Sequence, residues 1–198
     1  MRPVAYDDFT SLGEVYDEAV LKTPEIDLFC SAGDWSIAAS TALMPQRESW
    51  IFEHDTHWLC LMRGNDERGV RYLQALEAAW GLTCPLIGPN EMLLAESLSE
   101  VLLKKRRQWD VLLLSGIPVD SSLLNHCLAK LTRHFRLALG PVTHRHQAFI
   151  QKDIDIYLNK RSRNFRRSLK RSLKKATDLG VEFEKLHISS SDELTEAF

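Results

Sequence analysis

The chain has 198 residues, 44% apolar and 26% charged, with a formal net charge of −2, which is the composition of a globular protein able to bury a sizeable core. Its apolar runs, such as VLLL at 111–114, are far too short to span a bilayer, and MRPVAYDDFT has early acids and no apolar signal core, so neither a membrane span nor a secretory leader is expected and the expected location is cytoplasmic. The charge is unevenly placed: residues 1–150 carry 14 Lys+Arg against 19 Asp+Glu, whereas residues 151–198 carry 11 against 8, so an anionic partner meets a local patch rather than a basic protein.

In chain order, Asp34 is placed to cap a short helix through Trp35, Ile37, Ala38 and Leu43, which Pro45 stops. SWIFEHD and HWLCLMR, rich in aromatic and branched residues, predict a β-hairpin turning at Asp55–Thr56. RGNDERG at 63–69 predicts a polar loop. The next stretch, YLQALEAAWGLTCPLIGPN, fits either a helical turn or a strand in its first half, and irregular or extended chain in its second, around Gly81, Pro85, Gly88 and Pro89. Leu93, Leu94, Leu98, Val101 and Leu102 recur at helical spacing over 91–107, and KKRR then complements the negative end of the helix dipole. WDVLLLSG predicts a buried strand, SSLLNHCLAKLTRHF a serine-capped amphipathic helix, and FRLALG and THRHQAFIQ two further strands. The succession predicts a mixed α/β (α+β) fold, a mixed sheet flanked by helices.

The segment YLNKRSRNFRRSLKRSLKKATDLGVEFE carries nine basic residues and no acid between 160 and 175. Helical periodicity over 153–179 predicts one long helix, started by Asp153 or Asp155 and stopped by Gly180, with a strand from Val181. Ile154, Leu158, Ser162, Phe165, Leu169, Leu173 and Ala176 form its inward stripe, Lys160, Arg163, Arg167, Lys170 and Lys174 its opposite face, and Arg161, Arg166, Arg171 and Lys175 the flanks. Like-charged i,i+4 pairs such as Arg163–Arg167 and Lys170–Lys174 oppose the helix by about 1–2 kcal/mol in total, which an anionic partner would relieve. Duplex nucleic acid is one such partner, but the rest of the chain is acidic and shows no nucleic-acid-binding signature; forking of a smaller phosphate or carboxylate by arginine fits at least as well.

The residues Ser162, Arg163, Phe165, Arg166 and Arg167, followed by Gly180, Val181, Phe183 and Glu184, resemble the connecting helix and next strand of tandem acyltransferases in the GNAT superfamily, the FemAB-like and CelD-like proteins. WGLTCPLIG (Trp80 to Gly88) and WDVLLLSGIP (Trp109 to Pro118) resemble the first half of the same proteins, so the likeness spans roughly residues 25–198. The resemblance implies two GNAT-like domains and transfer of an acyl or aminoacyl group, from acyl-CoA or aminoacyl-tRNA, to an amine acceptor. That acceptor would be a small molecule or cell-envelope component, with an anionic group as one option. It divides the chain into an N-terminal GNAT-like domain (1–151), the basic connecting helix and following strand (152–187), and the start of a second, truncated domain (188–198). A donor site needs a Q/R-x-x-G-x-G/A loop whose backbone N–H groups hold pyrophosphate. RGNDERG has the wrong spacing, so no cofactor is expected on this chain and the donor half is expected beyond residue 198. The capping box Ser190–Glu193, two turns before Phe198, supports that division. Substrate contact is assigned to Arg163, Arg166, Arg167 and Ser162, with the catalytic residues unassigned. The alternative function is a nucleic-acid or anionic-surface binding module using the basic helix 160–175.

Other constellations carry less. Cys30, Cys60, Cys84 and Cys127 lack CxxC spacing and are expected as buried thiols in a reducing compartment. His54, His57 and Cys60 hint at zinc, but strand alternation is expected to put the two histidines on opposite faces, so no metal site is expected. His144 and His146 have no evident partner carboxylate for base catalysis, and Ser115–Gly116 lacks the GxSxG of a nucleophile elbow. The tryptophans 35, 50, 58, 80 and 109 are expected in the core.

Overall fold

The computed structural model describes residues 1–43, 47–142, 144 and 153–182. The chain divides into two compact units, residues 1–142 and 143–198.

The first unit is a mixed sheet flanked by helices. It begins with strand β1 (Arg2–Val4) and helices α1 (Tyr6–Ser11), α2 (Gly13–Lys22), α3 (Leu28–Ser31) and α4 (Gly33–Leu43). Strands β2 (Glu48–His54), β3 (His57–Asn65) and β4 (Arg71–Ala75) follow as an antiparallel meander. Strand β5 (Leu86–Ile87) adds to β3, and helix α5 (Glu91–Lys104) leads to β6 (Val111–Leu112), which runs parallel to β4. Helix α6 (Ser122–Leu131) packs on α5. The sheet order is β1-β2-β3-β4-β6.

Burial follows from the pattern. Trp58 to Met62 are all buried, so both faces of β3 are covered, which is why its sequence is an unbroken apolar run. Phe9 of α1, Tyr16 of α2 and Trp58 of β3 meet edge to face, with ring centroids 4.9–6.0 Å apart. Leu94, Leu98, Val101 and Leu102 turn the expected apolar face of α5 into this core. Asn90 caps α5 by accepting from the Leu93 N–H (3.1 Å), and Ser121 caps α6 by accepting from the Leu124 N–H (3.1 Å).

Several expectations are corrected. Helix α4 begins at Gly33, whose N–H donates to the Asp17 carboxylate at 2.7 Å, so Asp34 lies in its first turn rather than capping it. Strand β3 continues through Arg63, Gly64 and Asn65, which pair with β4, and the polar loop shrinks to the turn that Asp66 closes by accepting from the Arg68 and Val70 N–H groups. YLQAL is a strand. WDVLLLSG is not a buried strand: among the described residues β6 is a two-residue strand at the sheet edge that pairs only with β4, Val111 is 42% exposed and Leu113 just after it 53%, because an apolar run does not distinguish an edge from a centre. FRLALG forms no strand; Phe135 and Leu137 pack on the core while Leu139 is exposed. Trp80 is 57% exposed and therefore not a core tryptophan.

In the second unit the expected single helix is two, α7 (Ile154–Asn159) and α8 (Arg163–Asp178). Asp153 caps α7 by accepting from the Asp155 N–H at 2.8 Å. The break comes at Ser162, which is exposed and caps α8 by accepting from the Phe165 N–H at 3.2 Å, so it does not lie on a buried stripe. Gly180 ends α8 as expected, with φ +70°: its N–H donates to Thr177 and that of Val181 to Ala176, a Schellman motif. The expected strand at 143–151 lies outside the described residues apart from His144, which is exposed. Pro45, His146, Ser190 and Glu193 also lie outside them, as does the expected strand from Val181 apart from Val181 and Glu182, which are not in a strand.

Candidate functional site

The basic residues singled out by sequence gather at the start of α8. Arg163 and Arg167 are exposed, one turn apart, and among the described residues neither is in an ion pair. Arg166 is half-buried, and its guanidinium donates to the Asn159 carbonyl at 3.2 Å, bridging the break between α7 and α8. Arg161 lies over the Tyr157 ring at 4.2 Å. The Ser162 hydroxyl is held by the cap, so it fixes the turn that presents Arg163 and Arg167. Two uncompensated guanidinium groups beside the positive end of a helix dipole favour a phosphate or carboxylate. Phe165, expected to point inward, is 46% exposed, and Leu173 is 50% exposed.

In the first unit, the two segments that carry the family resemblance meet. The Gly116 N–H donates to the Gly81 carbonyl at 3.0 Å. At Gly116, φ is +69° and a Cβ would lie 2.4 Å from the Thr83 carbonyl, so only glycine lets the chains approach this closely. The Thr83 hydroxyl donates to the Cys30 carbonyl (2.6 Å), and the Ser31 hydroxyl accepts from the Cys84 N–H (3.2 Å), pinning the same loop to α3. Glu77, a fully buried carboxylate with no signal in the sequence pattern, accepts from the Trp80 N–H (2.6 Å) and holds the loop from within. Ser115 thus flanks a close chain crossing, not a nucleophile elbow.

The start of α5 is closed to a pyrophosphate. Asn90 is its own cap, Glu91 puts a negative charge in the first turn, and the Asn90 N–H donates to His57 Nε2 at 3.2 Å. Gly88 packs so tightly on the His57 ring that a Cβ would approach within 2.6 Å. Burial lowers the His57 pKa below its usual value, which keeps the ring neutral as the acceptor of that bond. His54 and His57 are direct partners across the Asp55–Thr56 turn, so they share a face. Alternation counted along one strand does not carry through a turn that reverses the chain. His57 is buried and His54 exposed, and among the described residues no group of three or more His, Cys, Asp or Glu side chains could hold a metal ion.

All four cysteines are buried, and Cys60, Cys84 and Cys127 are free thiols. Burial pushes the Cys84 and Cys127 thiols up to about 12, and that of Cys60 up as well, so none of these three is a nucleophile at neutral pH. Of the cations after α5, Lys105 lies over the Trp50 and Phe52 rings at 5.2 and 5.7 Å, while Arg71 of β4 forks Asp110 and donates to the Arg107 carbonyl, tying β4 to the segment before β6. Among the described residues, no helix is long and apolar enough to cross a membrane. No protein-family model, no curated protein and no solved structure matches this chain.

Proposed function

We propose that the chain is the acceptor-side, structural half of an acyl-transfer protein of the GNAT type that its sequence resembles, working in the cytoplasm and without a donor site of its own. The observation that carries this reading is the order of elements in the first unit. An antiparallel meander of β2, β3 and β4 is followed by α5 and by β6 parallel to β4, and the two resembling segments converge at Gly81 and Gly116. The closed start of α5 supports the absence of coenzyme A binding here. In the reaction the acceptor amine attacks the thioester carbonyl, a C–N bond forms, the C–S bond breaks, and the coenzyme A thiolate leaves as the amine gives up its proton. This half contributes orientation of the acceptor. Arg163 and Arg167 would hold an anionic group on it, Arg166 brace the helix break, and Ser162 set the turn.

Calorimetric titration with acetyl-CoA and with phosphoethanolamine, a minimal amine bearing a phosphate, tests this. Phosphoethanolamine binds, and replacing Arg163 and Arg167 by alanine weakens it about tenfold or more; acetyl-CoA does not bind. Binding of acetyl-CoA, or no binding of phosphoethanolamine to the wild type, overturns the assignment.

A second reading is favoured by the exposure of α8 on both its cationic and apolar sides: a binding module for a polyanionic partner, nucleic acid or another anionic surface. Its mark is a logarithmic salt dependence, with a slope of about −0.9 per phosphate contacted in duplex DNA.

A further inference from the structure

We propose that α8 docks on an anionic lipid surface, lying in the headgroup layer with its apolar stripe toward the acyl chains. The proposal rests on the second reading above and names the partner. It starts from the two faces of one helix. At about 100° per residue, Phe165, Leu169, Leu173 and Ala176 fall within one narrow sector. Phe165 is 46% and Leu173 50% exposed, and α8 buries none of its residues. On α8 taken by itself Lys170, counted on the opposite face of the single long helix, moves beside Arg166 to border that sector on one side, with Lys175 on the other, while Arg163, Arg167 and Lys174 lie opposite.

Charge complementarity selects the occupant. From Lys160 to Lys175 there is no acidic side chain, and the single acid of α8, Asp178, lies in its last turn, so the helix is strongly cationic toward an anionic surface. A nucleic acid would use the cations and leave Phe165 and Leu173 in water. A neutral apolar partner would use the stripe and leave the like-charged pairs opposed. A bilayer rich in anionic headgroups takes both: the cations meet lipid phosphates and carboxylates, and the long bordering side chains reach up to them while the stripe enters the interface. The two caps fit this use, since Ser162 and the Gly180 motif define the helix ends without help from a partner.

The experiment is co-sedimentation of the full chain with vesicles of phosphatidylcholine alone and of phosphatidylcholine mixed with phosphatidylserine, beside a gel shift with duplex DNA. Two helix-preserving variants accompany the wild type. Lys170→Glu/Lys175→Glu places acids four residues from Arg166, Lys174 and Arg171, so it relieves repulsion and favours the helix. Leu169→Gln/Leu173→Gln keeps good helix formers. The wild type binds the mixed vesicles, not the neutral ones, and binding falls as salt is raised. The charge variant loses about thirtyfold or more, and the apolar variant about tenfold, each with unchanged helical circular dichroism. Vesicle binding that ignores the leucine change overturns the embedded geometry. Binding to DNA but not to mixed vesicles overturns the lipid assignment and keeps the polyanion reading; binding to neither overturns both.

Discussion

Replacing Gly116 by alanine probes the crossing that joins the loop after β4 to the segment after β6. The backbone there has φ +69°, and an added Cβ would stand 2.4 Å from the carbonyl carbon and oxygen of Thr83 and 2.6 Å from the Cys84 nitrogen. Left-handed backbone costs an ordinary residue about 1–2 kcal/mol. The contact adds a second penalty, because the opposing atoms are main chain. They are held by the Thr83–Cys30 hydrogen bond at 2.6 Å and the Cys84–Ser31 bond at 3.2 Å, and cannot rotate aside. Forcing a methyl group into such a place costs about 1–3 kcal/mol, for a sum of about 2–5 kcal/mol against a total stability on the order of 5–15 kcal/mol. Gly81→Ala is the internal control. Its φ is +64°, but the nearest atom to its Cβ is the Ser115 Cβ at 3.7 Å, an ordinary contact, so it bears only the backbone penalty. The difference between the two variants, about 1–3 kcal/mol, isolates the crossing. Urea unfolding followed by tryptophan fluorescence measures it, since tryptophans 35, 50, 58, 80 and 109 all belong to the first unit. Gly116→Ala lowers the midpoint more than Gly81→Ala, with the slope unchanged. Equal midpoints would refute the close approach and, with it, the convergence of the two segments.

Two further outcomes follow from local chemistry. The Arg71 side chain, and after it the Arg71 N–H, hold the Asp110 carboxyl well below the usual carboxylate range. A depressed folded pKa means that the stabilisation is present above the unfolded value of about 4 and is lost as pH falls below it. Wild type therefore exceeds Asp110→Asn in urea midpoint at neutral pH, and the gap closes as pH is lowered from about 4; a constant gap contradicts the ion pair. Ser162→Ala removes the cap of α8 and costs that helix about 1 kcal/mol, so the Phe165 and Arg166 amides exchange hydrogen about fivefold faster; unchanged exchange would mean that α7 and α8 form a continuous helix.

Where residues interact with near neighbours, the amino-acid sequence sufficed. The hairpin at Asp55–Thr56, the apolar face of α5, the serine cap of α6 and the glycine stop of α8 follow from turn chemistry, periodicity and capping, which act within a few residues. The concentration of cations on one helix belongs to the same class, since spacing alone puts Arg163 and Arg167 on one side. Ser162 marks the boundary of that reasoning: periodicity counted it into a stripe, while its hydroxyl competes with the helix ladder and breaks the helix one turn earlier.

Only tertiary structure decided the rest, because the deciding partners are far apart in the chain. Whether WDVLLLSG is central or peripheral depends on how many strands flank it, and among the described residues the single neighbour β4 makes it an edge. The placing of His54 and His57 on a common face depends on a chain reversal, and the burial of Glu77 on loop contacts that no spacing encodes. The approach of Gly116 to Thr83, 33 residues away, brings together two segments that the sequence presents only as separate likenesses. Local order is written in short-range hydrogen bonding and side-chain geometry; neighbours across the sheet are set by burying apolar surface, a force that is blind to sequence distance.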